Sequence, residues 1–186
     1  MARRCLAIDI GASGGRAVLG TFSGDRLDVQ EIHRFANGPL RVGDELHWNV
    51  ESLFDDVLAS AAEACRSGPL ASIGVDTWAV DYGLLDAAGN LLGSPFHYRD
   101  PRTRGIAERV AETLPPALQY ARTGIAQLPF NTLYQLCAER DAGGRFEAAT
   151  TLLMIPDLIH YWVCGTRAME RTNASTTGAR GLDGTG

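Results

Sequence analysis

The six residues Cys5-Leu6-Ala7-Ile8-Asp9-Ile10 run straight into Gly11-Ala12-Ser13-Gly14-Gly15-Arg16, and this junction constrains the fold more than any other stretch. The first six are apolar on both faces apart from Asp9, the pattern of a central strand covered on both sides. Gly11, Gly14 and Gly15 supply a turn, because glycine permits positive φ and close backbone approach. Residues 16–22 predict a second strand, Ser23-Gly24-Asp25 a second turn, and residues 27–35 a third strand. Three strands so closely spaced form an antiparallel meander.

A helix follows. Asn49 is its expected N-cap, and Leu53, Phe54, Val57, Leu58, Ala61, Ala62 and Cys65 recur at helical spacing. Gly68-Pro69 stops it. Residues 71–75 predict a strand ending at Asp76, and residues 80–85 another, closed by the turn at 86–90. The remainder reads as helices over 104–114, 131–140 and 156–163. In the second, Asn131 is the expected cap, with Leu133, Leu136 and Cys137 facing inward. From Thr172 onward the chain is polar, glycine-rich and without periodicity, so 172–186 reads as loop. Strands first, then a helix, a parallel return strand and more helices give an α/β domain with a mixed sheet.

The chain has 186 residues, 45% hydrophobic and 21% charged, enough for one sizeable soluble domain. A formal net charge of −5 disfavours nucleic acid and anionic membrane as partners, since both need clustered positive charge. Arg3 and Arg4 are too few for a binding arm. Cys5, Cys65, Cys137 and Cys164 form no C-x-x-C pair and lie in apolar segments, so each is expected to be a buried free thiol in a reducing cytoplasm. No apolar run approaches the roughly 18 residues of a membrane span, and a cytoplasmic location is expected.

Three stretches combine residue types that carry chemistry. The first is Asp9 to Arg16. A carboxylate in a strand buried on both faces needs a metal or a hydrogen-bond network to oppose it. The glycine-rich turn offers backbone N–H groups as an anion cradle, and Arg16 adds a fixed cation. Together they suit a magnesium-bound polyphosphate, although a structural turn beside a capped Asp fits as well. There is no G-x-x-x-x-G-K-[ST] and no helix after a G-x-G-x-x-G, so neither a P-loop nor a dinucleotide fold is indicated. The second stretch, Asp76-Thr77-Trp78-Ala79-Val80-Asp81-Tyr82, sets an aromatic face beside two carboxylates, as a sugar site does and as a half-buried tryptophan next to solvated acids also would. The third is His97-Tyr98-Arg99-Asp100-Pro101-Arg102, where ion pairs that merely hold a loop are an equal reading. His33, His47 and His160 are isolated, and neither a Ser-His-Asp nor a metal-ligand spacing occurs.

Several strings in order resemble the FGGY carbohydrate kinases, and within them the branch acting on L-rhamnulose. They are residues 7–16, His33-Arg34-Phe35-Ala36-Asn37-Gly38-Pro39, residues 72–78, residues 80–86, Tyr98-Arg99-Asp100, Leu128-Pro129-Phe130-Asn131-Thr132-Leu133-Tyr134-Gln135-Leu136, Pro156-Asp157-Leu158 and residues 172–177. The resemblance implies an actin-like, ribonuclease-H-like ATPase fold, of which residues 1–186 are the N-terminal domain with the second domain absent. It implies transfer of the ATP γ-phosphate to the 1-hydroxyl of L-rhamnulose in rhamnose catabolism. It also implies that Asp9 helps hold magnesium, that Ala12, Ser13, Gly14, Gly15 and Arg16 bind the ATP phosphates, and that the backbone at Ala79 touches the sugar, next to the Asp76 and Trp78 already singled out by residue type.

Three departures stand out. Relatives usually carry glycine where this chain has Ala79. Gln and an aromatic usually stand in place of Ala126 and Gln127. The catalytic base of relatives, the aspartate of a His-Asp-Thr motif in the second domain, has no counterpart here, so no catalytic residue is assigned and the isolated chain is expected to be inactive or nearly so. A kinase for another ketose (L-fuculose, D-xylulose) and a non-catalytic sugar- or nucleotide-binding module remain the alternatives.

Overall fold

The computed structural model describes residues 2–184. In chain order the strands and helices are β1 (Arg3–Gly11), β2 (Gly14–Ser23), β3 (Arg26–Ala36), β4 (Pro39–Val42), β5 (Glu45–Trp48), α1 (Val50–Arg66), β6 (Ser72–Thr77), β7 (Tyr82–Leu85), α2 (Ile106–Thr113), α3 (Pro116–Thr123), α4 (Thr132–Ala142), α5 (Arg145–Ala148), β8 (Thr151–Met154), α6 (Ile155–Cys164) and α7 (Arg171–Ser175). They fall into two compact units. The first takes the chain up to Pro39 together with Asn49–Trp78, and the second takes Leu40–Trp48 and the chain from Ala79 onward.

The first unit is a four-stranded sheet in the order β3-β2-β1-β6. β1–β2 and β2–β3 are antiparallel, and β6 returns parallel to β1. The meander and the parallel strand thus stand as expected from sequence. Burial alternates strictly along β1: Leu6, Ile8 and Ile10 are buried, while Ala7 and Asp9 are exposed. The expectation of a strand covered on both faces is corrected by this alternation. Within this unit α1 packs Leu53, Val57 and Ala64 inward, and the face carrying Asp9 is open. Asn49 caps α1 by accepting the Ser52 N–H at 3.2 Å. At the other end the Arg4 guanidinium donates to the carbonyls of Ala64 (2.7 Å) and Gly68, groups the helix cannot satisfy itself.

In the second unit β7 and β8 pair antiparallel, Tyr82 opposite Met154 and Leu85 opposite Thr151. Tyr82, Leu84 and Met154 form one buried cluster, and Ile106, Tyr134 and Ala138 another. On α4, Leu133, Leu136 and Cys137 are partly buried and pack against these clusters as expected, and Tyr134, Gln135, Ala138 and Glu139 are buried as well. The predicted stop at Pro115-Pro116 is also a start, with Pro116 in the first turn of α3. The tail is not loop throughout. The Glu170 side chain caps α7 by accepting the Asn173 N–H at 2.9 Å, and the Thr177 carbonyl accepts from Leu133 N–H at 3.0 Å. Thr185 and Gly186, the last part of that expected loop, lie outside the described residues.

The thiols are not buried as a set, since Cys65 and Cys164 are exposed and Cys5 and Cys137 are intermediate. Among the described residues no helix is long and apolar enough to cross a membrane.

Candidate functional site

The β1–β2 connection is a two-residue turn, Ala12-Ser13, closed by Gly11 opposite Gly14. Among the described residues Val80 is the one non-glycine with positive φ, and Gly11, Gly14 and Gly15 are not in that region either. These glycines therefore serve close approach and not left-handed backbone. A β-carbon on Gly15 would lie 2.3 Å from the Phe35 ring, and one on Gly14 3.0 Å from the Phe35 carbonyl oxygen. Asn37 completes the clasp by donating its side-chain amide to the Gly11 carbonyl at 2.9 Å. The hairpin tip thus lies close against the end of β3, tied to it by the Asn37 hydrogen bond.

Register lines up the charges. Asp9 faces Arg16 on β2 and Asp76 on β6, and Arg16 faces Arg34 on β3. Residues directly opposite on neighbouring strands share a face, so Arg34, Arg16, Asp9 and Asp76 form one transverse row on the open side. Arg16 Nη2 and Nε donate to Asp9 Oδ2 at 2.9 and 3.1 Å. Both side chains are about half exposed, so the pair contributes at most about 1 kcal/mol to stability and its carboxylate is not a buried charge. That corrects the expectation of a buried Asp9: its environment is an open cleft. The cleft, about 350 Å³, is lined by Asp9, Gly11, Ser13, Gly14, Gly15, Arg16, Arg34 and Phe35.

A magnesium ion binds through one or two carboxylates and keeps waters for the rest of its shell. Exposed Asp9 with Asp76 at its side fits that demand. Among the described residues no group of three or more His, Cys, Asp or Glu forms a closed metal cage.

Trp78 is the last residue of the first unit, and its carbonyl accepts the Thr77 hydroxyl at 3.0 Å. Ala79 opens the return into the second unit and is half-buried. The next residue departs from expectation. Val80 was read as strand, but it sits at φ +72°, a costly conformation for a β-branched side chain. Its carbonyl accepts from Thr132 Oγ1 at 2.7 Å and Gln135 Nε2 at 3.3 Å. Asp81, fully buried, accepts from Trp48 Nε1 (2.6 Å), Gln135 Nε2 (2.7 Å) and the Tyr98 N–H (3.1 Å). Asn131 stands at the N-cap of α4 as expected, with its side chain donating to the Ala126 carbonyl at 2.7 Å in place of a cap hydrogen bond.

The third stretch is held from outside. Arg102 donates to Glu139 Oε2 at 2.5 Å and stacks over Phe96, and Arg145 reaches the same carboxylate at 2.7 and 2.9 Å. Burial raises the Glu139 pKa, but the two arginines outweigh it and hold the group below its usual range. Asp100 accepts the N–H groups of Leu46 and Arg102. His97, stacked on Trp48 with centroids 4.0 Å apart, is pushed down to about 4 by burial first and by Arg99 second. These are features of a rigid scaffold.

The sequence profile of the N-terminal domain of the FGGY family of carbohydrate kinases matches residues 4–183. The chain belongs to that family. Among curated relatives, rhamnulokinase of Klebsiella pneumoniae (strain 342) is 45% identical over 180 residues, covering 94% of this chain and 37% of that protein. Rhamnulokinase of Bacteroides thetaiotaomicron is 38% identical over 178 residues, 95% of this chain and 37% of that protein. The FGGY chain described here thus spans a little over a third of the length of the relatives it matches. Xylulose kinase from Rhodospirillum rubrum superposes with a TM-score of 0.84 at 21% identity, over 97% of this chain and 38% of that one. Gluconate kinase from Lactobacillus acidophilus gives 0.83 at 18%, over 98% and 37%. At such identities the likeness fixes the fold, the α/β fold of actin-like ATPase sugar kinases, with a mixed sheet flanked by helices as expected.

Proposed function

We propose that this FGGY domain supplies the magnesium- and phosphate-facing side of an ATP-dependent ketose kinase, with L-rhamnulose as the sugar and L-rhamnulose 1-phosphate as the product. One observation carries the reading: the Ala12-Ser13 hairpin opens beside a row in which Arg16 and Asp9 stand together over an open cleft. Magnesium, when bound, would neutralise phosphate charge. Asp9, with Asp76 beside it, would hold the cation, and the Arg16 guanidinium would face phosphate. Ala12 and Ser13 lie outside the strand pairing, so their main-chain N–H groups can orient the polyphosphate beside Arg16, while Gly14 and Gly15 let the turn pack against Phe35. Asp76 and Trp78 offer a hydroxyl acceptor and an apolar face to the sugar, and Ala79 its backbone. No residue here is assigned as catalytic base. The choice of L-rhamnulose draws on the names of the relatives, and Ala79 in place of the family's glycine favours a second reading, another ketose such as L-fuculose or D-xylulose.

A chimera tests both readings. Residues 1–186 replace the matching segment of the Klebsiella rhamnulokinase, and ADP formation is followed with L-rhamnulose, L-fuculose and D-xylulose. The expected order puts L-rhamnulose first. A folded chimera faster on another ketose selects the second reading, and one that turns over no ketose rejects the kinase reading.

A further inference from the structure

The string His33-Arg34-Phe35-Ala36-Asn37 belongs to those that carry the family likeness, and its cation has no part in the reading above. Arg34 stands opposite Arg16 in the β2–β3 register, so the two guanidinium groups leave the sheet on one face, on strands about 5 Å apart. Arg34 also lines the cleft, on the far side of Arg16 from Asp9.

A β-bulge sets its direction. The register shifts between Ala17 and Val18: His33 faces Ala17 and Glu31 faces Val18, leaving Ile32 as the extra residue. In a regular strand residues three apart point to opposite faces. The extra residue brings Glu31 and Arg34 to the same side, where Arg34 Nε and Nη2 donate to the carboxylate at 3.0 and 2.6 Å. Both partners are well exposed, so the pair adds little to stability. What it does is fix a long side chain at the rim of the cleft. Glu31 takes only one edge of the guanidinium fork and leaves its Nη1 donors for a ligand.

We propose that Arg34 is a second phosphate-binding residue of this cleft, taking the outer part of a polyphosphate chain whose inner part rests on the hairpin and Arg16. Two neighbouring cations suit an extended chain of phosphates. The proposal rests on the phosphate reading of the hairpin given above.

Calorimetric titration of the 186-residue chain with inorganic tripolyphosphate at low salt tests it. Arg34→Ala is expected to weaken binding roughly tenfold, the equivalent of one charge-assisted hydrogen bond, and Arg34→Lys to recover part of the loss. Arg26→Ala, on the same strand but at its other end and paired with Asp28, controls for net charge and is expected to bind like the unsubstituted chain. Unchanged binding by Arg34→Ala, or an equal loss in Arg26→Ala, overturns the inference and leaves the hairpin reading standing. Binding that Arg16→Ala does not weaken, or no binding by the unsubstituted chain, removes the hairpin reading and the inference with it.

Discussion

The ring of Phe35 occupies the space that a side chain on Gly15 would need, 2.3 Å from the position of its β-carbon. Strand β3 thereby fixes how the β1–β2 hairpin is shaped, and Gly15 is required by packing. Gly15→Ala should cost about 1–3 kcal/mol of stability by overpacking. Phe35→Ala in that background should recover much of the loss. Urea unfolding of both variants measures the coupling.

Val80 makes a second case where a neighbour dictates backbone. At φ +72° it is strained, and the Thr132 hydroxyl and Gln135 amide hold its carbonyl in place. Val80→Gly should relieve strain and raise stability by about 1 kcal/mol. Thr132→Val, which deletes the 2.7 Å hydrogen bond while keeping shape, should cost about 1 kcal/mol or more. Chemical denaturation of the two variants checks both signs.

His97 gives a pH dependence. Its Nδ1 accepts the Arg99 N–H at 3.0 Å, so that nitrogen must stay unprotonated, and burial holds the group at about 4 against 6.5 when unfolded. Between those values the unfolded chain binds a proton that the folded chain refuses. Stability contributed by neutral His97 is therefore intact above pH 6.5 and lost as pH falls toward 4, about 2 kcal/mol of it between pH 7 and pH 5. His97→Gln should flatten that part of the stability profile, read from urea midpoints at the two pH values.

Glu139 is buried between Arg102 and Arg145. Glu139→Gln leaves both cations without their counter-charge and should destabilise by about 3 kcal/mol. The melting temperature at pH 7 is the readout.

The sheet was legible in sequence because turns and apolar runs mark it: the meander, the cap at Asn49 and the parallel return of β6 all followed. Ala7 misled, being apolar yet exposed, so a one-sided strand read as a buried one. Hydrophobic spacing finds Leu133, Leu136 and Cys137 of α4 but not Gln135 and Glu139, which are buried by hydrogen bonds and ion pairs that a hydropathy pattern does not register. The β4–β5 hairpin carries its sequence signal in Gly43-Asp44, with Gly43 at φ +61°. Within the candidate site, Asp9 and Arg16 were found through their glycine-rich setting. Arg34, Phe35 and Asn37 join them through strand register, and nothing local to β3 signals that.

The central claim is that the β1–β2 hairpin binds magnesium-bound polyphosphate. Amide chemical shifts of the 186-residue chain during titration with ATP and magnesium test it most directly. Saturable shifts centred on residues 9–16 and spreading to Asp76 are expected, largely lost in Asp9→Asn when magnesium is the variable. Shifts that leave residues 9–16 unmoved while the ligand binds elsewhere would contradict it.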